Sequence, residues 1–186
     1  MPAPISEEQR AQDRATLLDA AETLFYEQGI QAVGMDTIRA AAGMPLKRIY
    51  GLYPAKEDLV VAVLRRRDRR WRTSLMEYVE RSEDPTERVL AVFDWLERWF
   101  TEPGYRGCAW VNAYGELGSA SPAILAEVRA HKHAFHKQIA AWVKAVTTEP
   151  AEPVCLMAEG AIVTAAITGD VKAARPAQAA VKALLK

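Results

Sequence analysis

One short stretch is locally basic in a chain whose formal net charge is zero. Residues 34–56 contain four basic residues and one acid, Asp36, which gives the stretch a net charge of +3. The basic residues are Arg39, Lys47, Arg48 and Lys56, and Tyr50 lies among them. These groups donate hydrogen bonds to phosphate oxygens, and a guanidinium also fits the acceptors on the edge of guanine. A local positive charge in a chain of zero net charge argues against a DNA-packaging protein and favours contact with nucleic acid through one surface.

Three predicted helices, separated by glycines, must position these side chains. Apolar residues at helical spacing predict a first helix that ends at Gly29. A second helix is predicted over about 35–42, followed by Gly43 in a turn, and a third over about 45–52. Two short helices joined by a tight turn, the second of them basic, are typical of a helix-turn-helix motif that inserts its second helix into the major groove of DNA.

The first turn of the third helix is expected to supply the base contacts. Arg48 or Lys47 is expected to donate to O6 and N7 of guanine, and Leu46 to contact a thymine methyl group. Lys56 lies at the start of the fourth predicted helix. Its ammonium group and the N-terminus of that helix are expected to share one DNA phosphate.

The order of residues around this motif matches a known family. Residues 41–45 read Ala-Ala-Gly-Met-Pro, residues 48–50 read Arg-Ile-Tyr, and Lys-Glu follows at 56–57. This pattern resembles the TetR family of bacterial one-component regulators, which usually has Ala-Ala-Gly-Val-Ser, then Thr-Leu-Tyr, then Lys-Glu. The resemblance is specific over residues 10–60 and extends, with fewer matching residues, over residues 105–145.

The resemblance implies an all-α fold with an N-terminal three-helix DNA-binding domain and a C-terminal helical domain for ligand binding and dimerisation. The expected boundaries are residues 1–55 and residues 56–186. The resemblance also implies that Tyr50 contacts a phosphate. Gly34 stands where the family favours a serine or threonine whose hydroxyl binds phosphate, and Arg39 is expected to compensate from the second helix.

The rest of the chain shows no strand-like alternation and no internal repeat, so only helices are predicted. They are expected over about 56–81, 85–100, 106–117, 122–147, 153–168 and from about 176 onward. Ser6 and Ser121 are predicted N-caps, and Pro45 is expected among the first positions of the third helix. The arginine-rich run 65–72 is interpreted as a helix face paired with acids, the candidate partners being Glu97, Glu102 and Glu116.

Cys108 and Cys155 are the two cysteines of the chain, and neither has neighbours at a metal-ligand spacing. The first residues lack the pattern of a signal peptide, and no apolar run reaches the ~18 residues of a membrane span. These features predict a cytoplasmic protein with free thiols and with no cofactor, metal or membrane partner.

All five tryptophans lie between residues 60 and 168, which is typical of an apolar core or of a pocket for an aromatic ligand. The pocket hypothesis assigns nine lining residues: Trp71, Tyr78, Phe93, Leu96, Trp99, Cys108, Asn112, Glu116 and His133. The alternative is that the aromatic side chains are ordinary core. His133 and His136 share a helix face, which is interpreted as a surface or hydrogen-bonded cluster rather than a metal site.

Small side chains are frequent between residues 158 and 168, and they allow a second helix to approach closely. With residues 122–147 this segment is expected to form a four-helix bundle between two subunits, so the predicted dimer interface is residues 122–168. The alternative is that these residues pack within one subunit.

Together these features predict a homodimeric, ligand-responsive transcriptional regulator, a repressor that a small apolar or aromatic effector releases from double-stranded operator DNA. No catalytic constellation is found, so the chain is not expected to be an enzyme. The alternative is a small all-α enzyme or carrier that uses the aromatic cavity and does not bind DNA. That alternative leaves Lys47, Arg48 and Lys56 unexplained.

Overall fold

The computed structural model describes residues 6–186, and within this range the chain contains helices and no strand. The helices are α1 Glu7–Gln28, α2 Met35–Ala42, α3 Leu46–Leu52, α4 Lys56–Val79, α5 Pro85–Phe100, α6 Ala109–Leu117, α7 Pro122–Lys144, α8 Glu152–Thr168 and α9 Ala174–Leu184. The predicted all-α class is confirmed. Helix α6 begins later than predicted because Gly107, at a φ of 82°, has a left-handed backbone that a helix cannot include.

Side-chain caps start three of the helices. Ser6 accepts a hydrogen bond from the amide of Gln9, and Ser121 accepts one from the amide of Ile124 at 3.0 Å. Asp84 accepts from the amide of Glu87 in the same way. The two predicted serine caps are therefore confirmed. Pro45 is the N-cap of α3 with an extended backbone, not a residue inside its first turn as predicted.

The chain divides into two compact units, each described here by itself. Unit 1 comprises the residues up to Arg67 together with 112–128, and unit 2 comprises 68–111 with 129–186. Helices α4, α6 and α7 contribute residues to both units. These two units are defined by packing. The boundary predicted at residue 55 instead separates a DNA-binding domain from a ligand-binding domain, and it stays a prediction. Among the described helices, none is long and apolar enough to cross a membrane.

In unit 1, α1, α2 and α3 pack against one another. Leu17 and Ala21 of α1, Ile38 of α2 and Ile49 of α3 are completely buried between them. Burying an isoleucine contributes roughly 1.5–3 kcal/mol, so these residues fix the position of α3 on the other two helices.

In unit 2, α5, α8 and α9 pack together, and α5 lies among them with eight buried residues. The buried residues of α5 are Val89, Leu90, Val92, Phe93, Trp95, Leu96, Trp99 and Phe100. On its remaining face, Asp94 and Glu97 form ion pairs with Arg175 of α9.

Arginines in the first part of the run 65–72 pair with acids, as predicted, but with other partners. Arg66 binds Asp19 and Glu22 of α1, and Arg67 binds Glu22 at 3.0 Å. Arg65 binds Glu127 at 2.6 Å. None of these three arginines pairs with Glu97, Glu102 or Glu116, the partners predicted from the sequence. Spacing along one helix shows that a face is charged but cannot show which distant acid faces it.

Candidate DNA-reading surface and aromatic cluster

The turn between α2 and α3 has the geometry of a helix-turn-helix. Gly43 has a φ of 60°, in the left-handed region that favours glycine, and its amide donates back to the end of α2. The amide of Met44 donates to the carbonyl of Arg39 at 3.2 Å, and Met44 is buried. The chain thus reverses within three residues and enters α3 at Leu46.

The α3 surface is defined as Leu46, Lys47, Arg48 and Tyr50, none of which is buried, whereas Ile49 of the same helix is. Lys47 and Tyr50 are exposed and stand three positions apart on one helix face, and Tyr50 is 44% exposed. Leu46 and Arg48 are half-buried. A short helix that buries one isoleucine and turns two cations and a phenol outward has the groups required for contacts in a DNA groove.

Arg48 has an acidic partner that the sequence analysis missed. Its Nε lies 3.5 Å from Oδ2 of Asp13, a carboxylate of α1 that is almost fully buried. The signal was present in the sequence. Asp13 is four residues before Leu17 and eight before Ala21, and it therefore lies on the apolar face of α1, where an acid needs a partner.

Arg10 is a second residue that the analysis missed. A cavity of about 510 Å³ between α1 and α3 is lined by Arg10, Asp13, Pro45, Lys47, Arg48, Gly51 and Leu52. Arg10 therefore adds a third cation to the group of Lys47 and Arg48. By contrast, Arg39 forms an exposed ion pair with Asp36 at 3.3 Å, so one of its donors is already used in the free protein.

Lys56 is directed towards the interior of unit 1. Its Nζ donates to the backbone carbonyl of Ile30 at 2.6 Å and lies 5.8 Å from the centre of the Phe25 ring. Burial lowers the pKa of Lys56, and the nearby carboxylate of Glu116 opposes that shift. The phosphate contact expected of Lys56 therefore requires its side chain to leave the carbonyl of Ile30.

Comparison with known proteins agrees with this geometry. Residues 17–63, which span α1 to the first turns of α4, match the sequence model described as "Bacterial regulatory proteins, tetR family". Over these residues the chain is similar to the TetR family. The whole structure is similar to SCO4454, a TetR-family transcriptional regulator from Streptomyces coelicolor, with a TM-score of 0.85 and 27% identity. That similarity covers 94% of this chain and 95% of SCO4454.

Two mycobacterial proteins are similar to part of this chain. The HTH-type transcriptional regulator Rv1255c of Mycobacterium tuberculosis is 35% identical over 74 residues, which are 40% of this chain and 37% of that protein. The HTH-type transcriptional activator FasR of Mycolicibacterium smegmatis is 32% identical over 101 residues, 52% of this chain and 45% of FasR. The chain therefore matches less than half of the length of each. The names of these relatives describe transcriptional regulators rather than enzymes, in agreement with the expectation from the sequence.

Unit 2 contains a cluster of aromatic rings around Trp71. The ring of Trp71 meets those of Trp95 at 4.9 Å, Phe135 at 5.0 Å and Trp99 at 5.5 Å, all edge-on. Trp110 and His131 complete the surroundings of Trp71. The indole Nε1 of Trp71 is buried and has no hydrogen-bond partner within residues 6–186. Edge-to-face aromatic pairs each contribute about 0.5–1.5 kcal/mol beyond burial, so the cluster stabilises unit 2.

The nine predicted ligand residues are divided between the two units. Seven of them belong to unit 2: Trp71, Tyr78, Phe93, Leu96, Trp99, Cys108 and His133. Asn112 and Glu116 belong to unit 1. Glu116 accepts hydrogen bonds from the backbone amide and the side chain of Gln31, so its carboxylate and carbonyl are used next to the end of α1. A cavity of about 500 Å³ lined by Gln31, Lys56, Glu57, Glu116 and Ser121, among others, lies at this place.

The histidine that packs with the aromatic cluster is His131, whereas His133 is exposed. The ring of His131 stacks on Trp110 with centroids 3.4 Å apart, and its Nδ1 lies 2.7 Å from Asp68. Burial lowers the pKa of His131, and the hydrogen bond that its ring makes to the carboxylate of Asp68 opposes this shift, so a neutral ring is favoured at neutral pH. Its position could have been found, because His131 continues the apolar stripe of α7 at 124, 128, 135, 139 and 142.

Further contacts of α7 involve His136 and the two cysteines. His136 and Lys132 both bind Glu159 of α8, and Lys132 also lies 3.5 Å from the thiol of Cys108. Burial, followed by the charges of nearby acids, raises the pKa of Cys155 to about 11, so this thiol stays protonated. Both cysteines are free and buried. Within the described part of the chain, no group of three potential ligands is arranged to hold a metal ion.

Helix α8 exposes an apolar stripe, defined as Leu156, Gly160, Val163 and Ile167. The spacing of four, three and four residues puts these positions on one face. Leu156 is 69% exposed and Ile167 is 79% exposed. At Gly160 an added Cβ would meet no atom within 4 Å. The opposite face of α8 is buried through Val154, Ala158, Ala161, Ile162 and Ala165.

Proposed function

We propose that this chain is a homodimeric transcriptional repressor of the TetR family that binds double-stranded operator DNA and is released from it by a small apolar or aromatic effector in the cytoplasm. The observation that carries this proposal is the α3 surface. Ile49 anchors α3 on α1 and α2, while Lys47, Arg48 and Tyr50 stand on its outer side. Arg48 or Lys47 reads a guanine, Leu46 contacts a thymine methyl, and Tyr50 binds a phosphate.

The proposed dimer uses residues 122–168, and the apolar stripe of α8 supports it. Leucine and isoleucine side chains exposed in a row are costly in water and mark an interaction surface. Gly160 lies in the middle of the stripe and leaves space for a helix of the second subunit to approach. A two-fold dimer places its two α3 surfaces in successive major grooves, about 34–36 Å apart along the DNA.

The proposed effector site is the aromatic part of unit 2, with Trp71, Tyr78, Phe93, Leu96, Trp99 and Cys108 as its residues. Within the same unit, His133 keeps the role of a candidate polar contact. Helix α4 links this site to DNA reading, because one continuous helix carries Lys56 at its first residue and Trp71 and Tyr78 further on. A ligand that changes the position of α4 would alter the distance between the two α3 surfaces.

DNA reading is tested on the full-length protein with an operator selected from random duplex DNA. Arg48→Ala is expected to weaken binding to that operator by about 1–3 kcal/mol and to relax the preference at one base pair, because a bidentate guanine contact is lost. The measurement is a titration of the operator and of its single-base variants. Arg175→Ala, which removes a cation that pairs with Asp94 and Glu97, is the control and should bind as the unmodified protein does.

The role of Arg48 would be refuted by an equal loss of affinity for the operator and for random-sequence DNA. The proposed function itself would fail if the unmodified protein selected no sequence. A reporter gene placed behind the selected operator then decides the direction of regulation. Rising expression on deletion of the regulator supports repression, and falling expression would indicate activation, the role that the name of FasR gives to that relative.

The effector is tested with a panel of apolar and aromatic compounds on the protein bound to its operator. An active compound is expected to quench tryptophan emission, to raise the melting temperature and to release DNA. The coupling free energy between the two sites should be about 1–3 kcal/mol. Trp99→Phe should weaken the response to the compound while ligand-free DNA binding stays intact. A compound that raises the melting temperature equally in Trp99→Phe would place the site elsewhere.

A further inference from the structure

We infer that Asp13 is a specificity-determining residue, which holds Arg48 by its Nε and thereby sets the base that α3 reads. The inference rests on the proposed function and deepens it, because it places part of the base preference on α1, outside the helix-turn-helix. Asp13 does not contact DNA in this proposal. It acts as a positioning residue, through Arg48.

The environment of Asp13 gives its carboxylate a reason to hold Arg48. The side chain is 8% exposed. Its Oδ1 accepts a hydrogen bond from the side chain of Gln9 at 2.9 Å. Its Oδ2 has no hydrogen-bond partner within residues 6–186 and lies 3.5 Å from Nε of Arg48. A buried carboxylate without a counter-charge is strongly unfavourable, so the charge of Arg48 is drawn to this place.

The ion pair with Asp13 leaves the edge of the Arg48 guanidinium formed by Nη1 and Nη2 available for a base. The ion pair joins Oδ2 of Asp13 to the Nε of the guanidinium, and in the described part of the chain the terminal Nη1 and Nη2 groups donate no hydrogen bond. These two groups form the pair of parallel donors that fits O6 and N7 of guanine. A single arginine can therefore bind Asp13 through Nε and guanine through Nη1 and Nη2 at the same time.

Packing alone does not hold Arg48 in one orientation. Its side chain is 39% exposed and borders the cavity of about 510 Å³ between α1 and α3. In such an open site a long side chain samples several rotamers, and ordering it on DNA binding costs free energy. The ion pair with Asp13 restricts these rotamers before DNA arrives. Removing it should therefore lower the preference for one base more than it lowers affinity in general.

The test replaces Asp13→Asn in the full-length protein, which keeps the size of the side chain and removes its charge. Binding is measured to the selected operator, to the same operator with each single base changed, and to random-sequence duplex DNA. The preference at the base pair read by Arg48 is expected to fall about tenfold. Affinity for random DNA should stay equal or rise, because a negative charge near the phosphates is removed.

Asp19→Asn is the matched control, since it removes the same charge from α1 but its partner is Arg66 rather than a residue of α3. It should leave the base preference unchanged. In an Arg48→Lys background, Asp13→Asn should have no further effect on the base preference. Lysine has no Nε to contact Asp13 and no pair of parallel donors for guanine. If Asp13→Asn does not fold, Asp13→Glu keeps the charge but displaces it into the cavity, and it should lower the same preference.

The inference is overturned if Asp13→Asn binds every single-base variant in the same ratios as the unmodified protein. It is also overturned if operator and random DNA lose affinity together, which is the result of a purely structural role. These outcomes differ from failure of the proposed function, in which the unmodified protein would show no sequence preference to alter.

Discussion

Ile167→Asp is expected to convert the dimer into monomers and to lower operator affinity by about a hundredfold or more. Ile167 is 79% exposed in the single chain and continues the stripe that begins at Leu156. In a dimer through this face, the new carboxylate would be buried without a partner, which costs several kcal/mol. A monomer reaches only one half-site, and the loss of simultaneous binding lowers affinity by about 10²–10⁴.

Sedimentation velocity at micromolar concentration measures the first effect, and titration of the selected operator measures the second. Leu184→Asp is the matched control, because Leu184 is also an exposed apolar residue of unit 2 but lies on α9, outside the stripe. It should remain dimeric. Gly160→Leu provides a second variant, since an added side chain meets nothing within the chain and can only disturb a neighbouring molecule.

The dimer proposal fails if the unmodified protein sediments as a monomer at concentrations where it binds its operator. It also fails if Ile167→Asp and Gly160→Leu both remain dimeric, which would move the interface away from α8. A folded monomer that keeps its melting temperature would be the clearest support, because it shows that the stripe serves association rather than the stability of one subunit.

Trp71→Ala is expected to lower the free energy of unfolding by about 3–5 kcal/mol. The indole is buried and has five aromatic neighbours, so truncation removes their edge-on contacts and leaves a large void. Trp71→Phe should cost less, because part of the ring contacts remain. Unfolding in urea, followed by circular dichroism, measures the difference without depending on the tryptophan signal.

Tyr114→Ala is the control for removing an aromatic ring, since Tyr114 is 57% exposed and its loss should cost less than about 1 kcal/mol. A comparably small loss for Trp71→Ala would contradict the close packing of Trp71 in the aromatic cluster. It would indicate open space around the indole in the ligand-free protein.

Local signals determined the helices and the helix-turn-helix in this chain. Ser121 caps α7 through an amide three residues away, and Gly43 adopts its left-handed turn because of its own missing side chain. Such interactions span three or four residues and are readable from adjacent letters of the sequence. The outward position of Lys47 and Tyr50 followed likewise from helical spacing around Ile49.

The tertiary structure alone decided which side chains face one another. Arg65 meets Glu127, Arg48 meets Asp13, and Lys56 turns to the carbonyl of Ile30. The first two pairs join different helices and the third joins α4 to the turn after α1, at separations of 62, 35 and 26 positions. The helical period of a sequence predicts only which face of a helix is polar and which is apolar. The partner across that face depends on how helices pack, and packing is a property of all their buried side chains together.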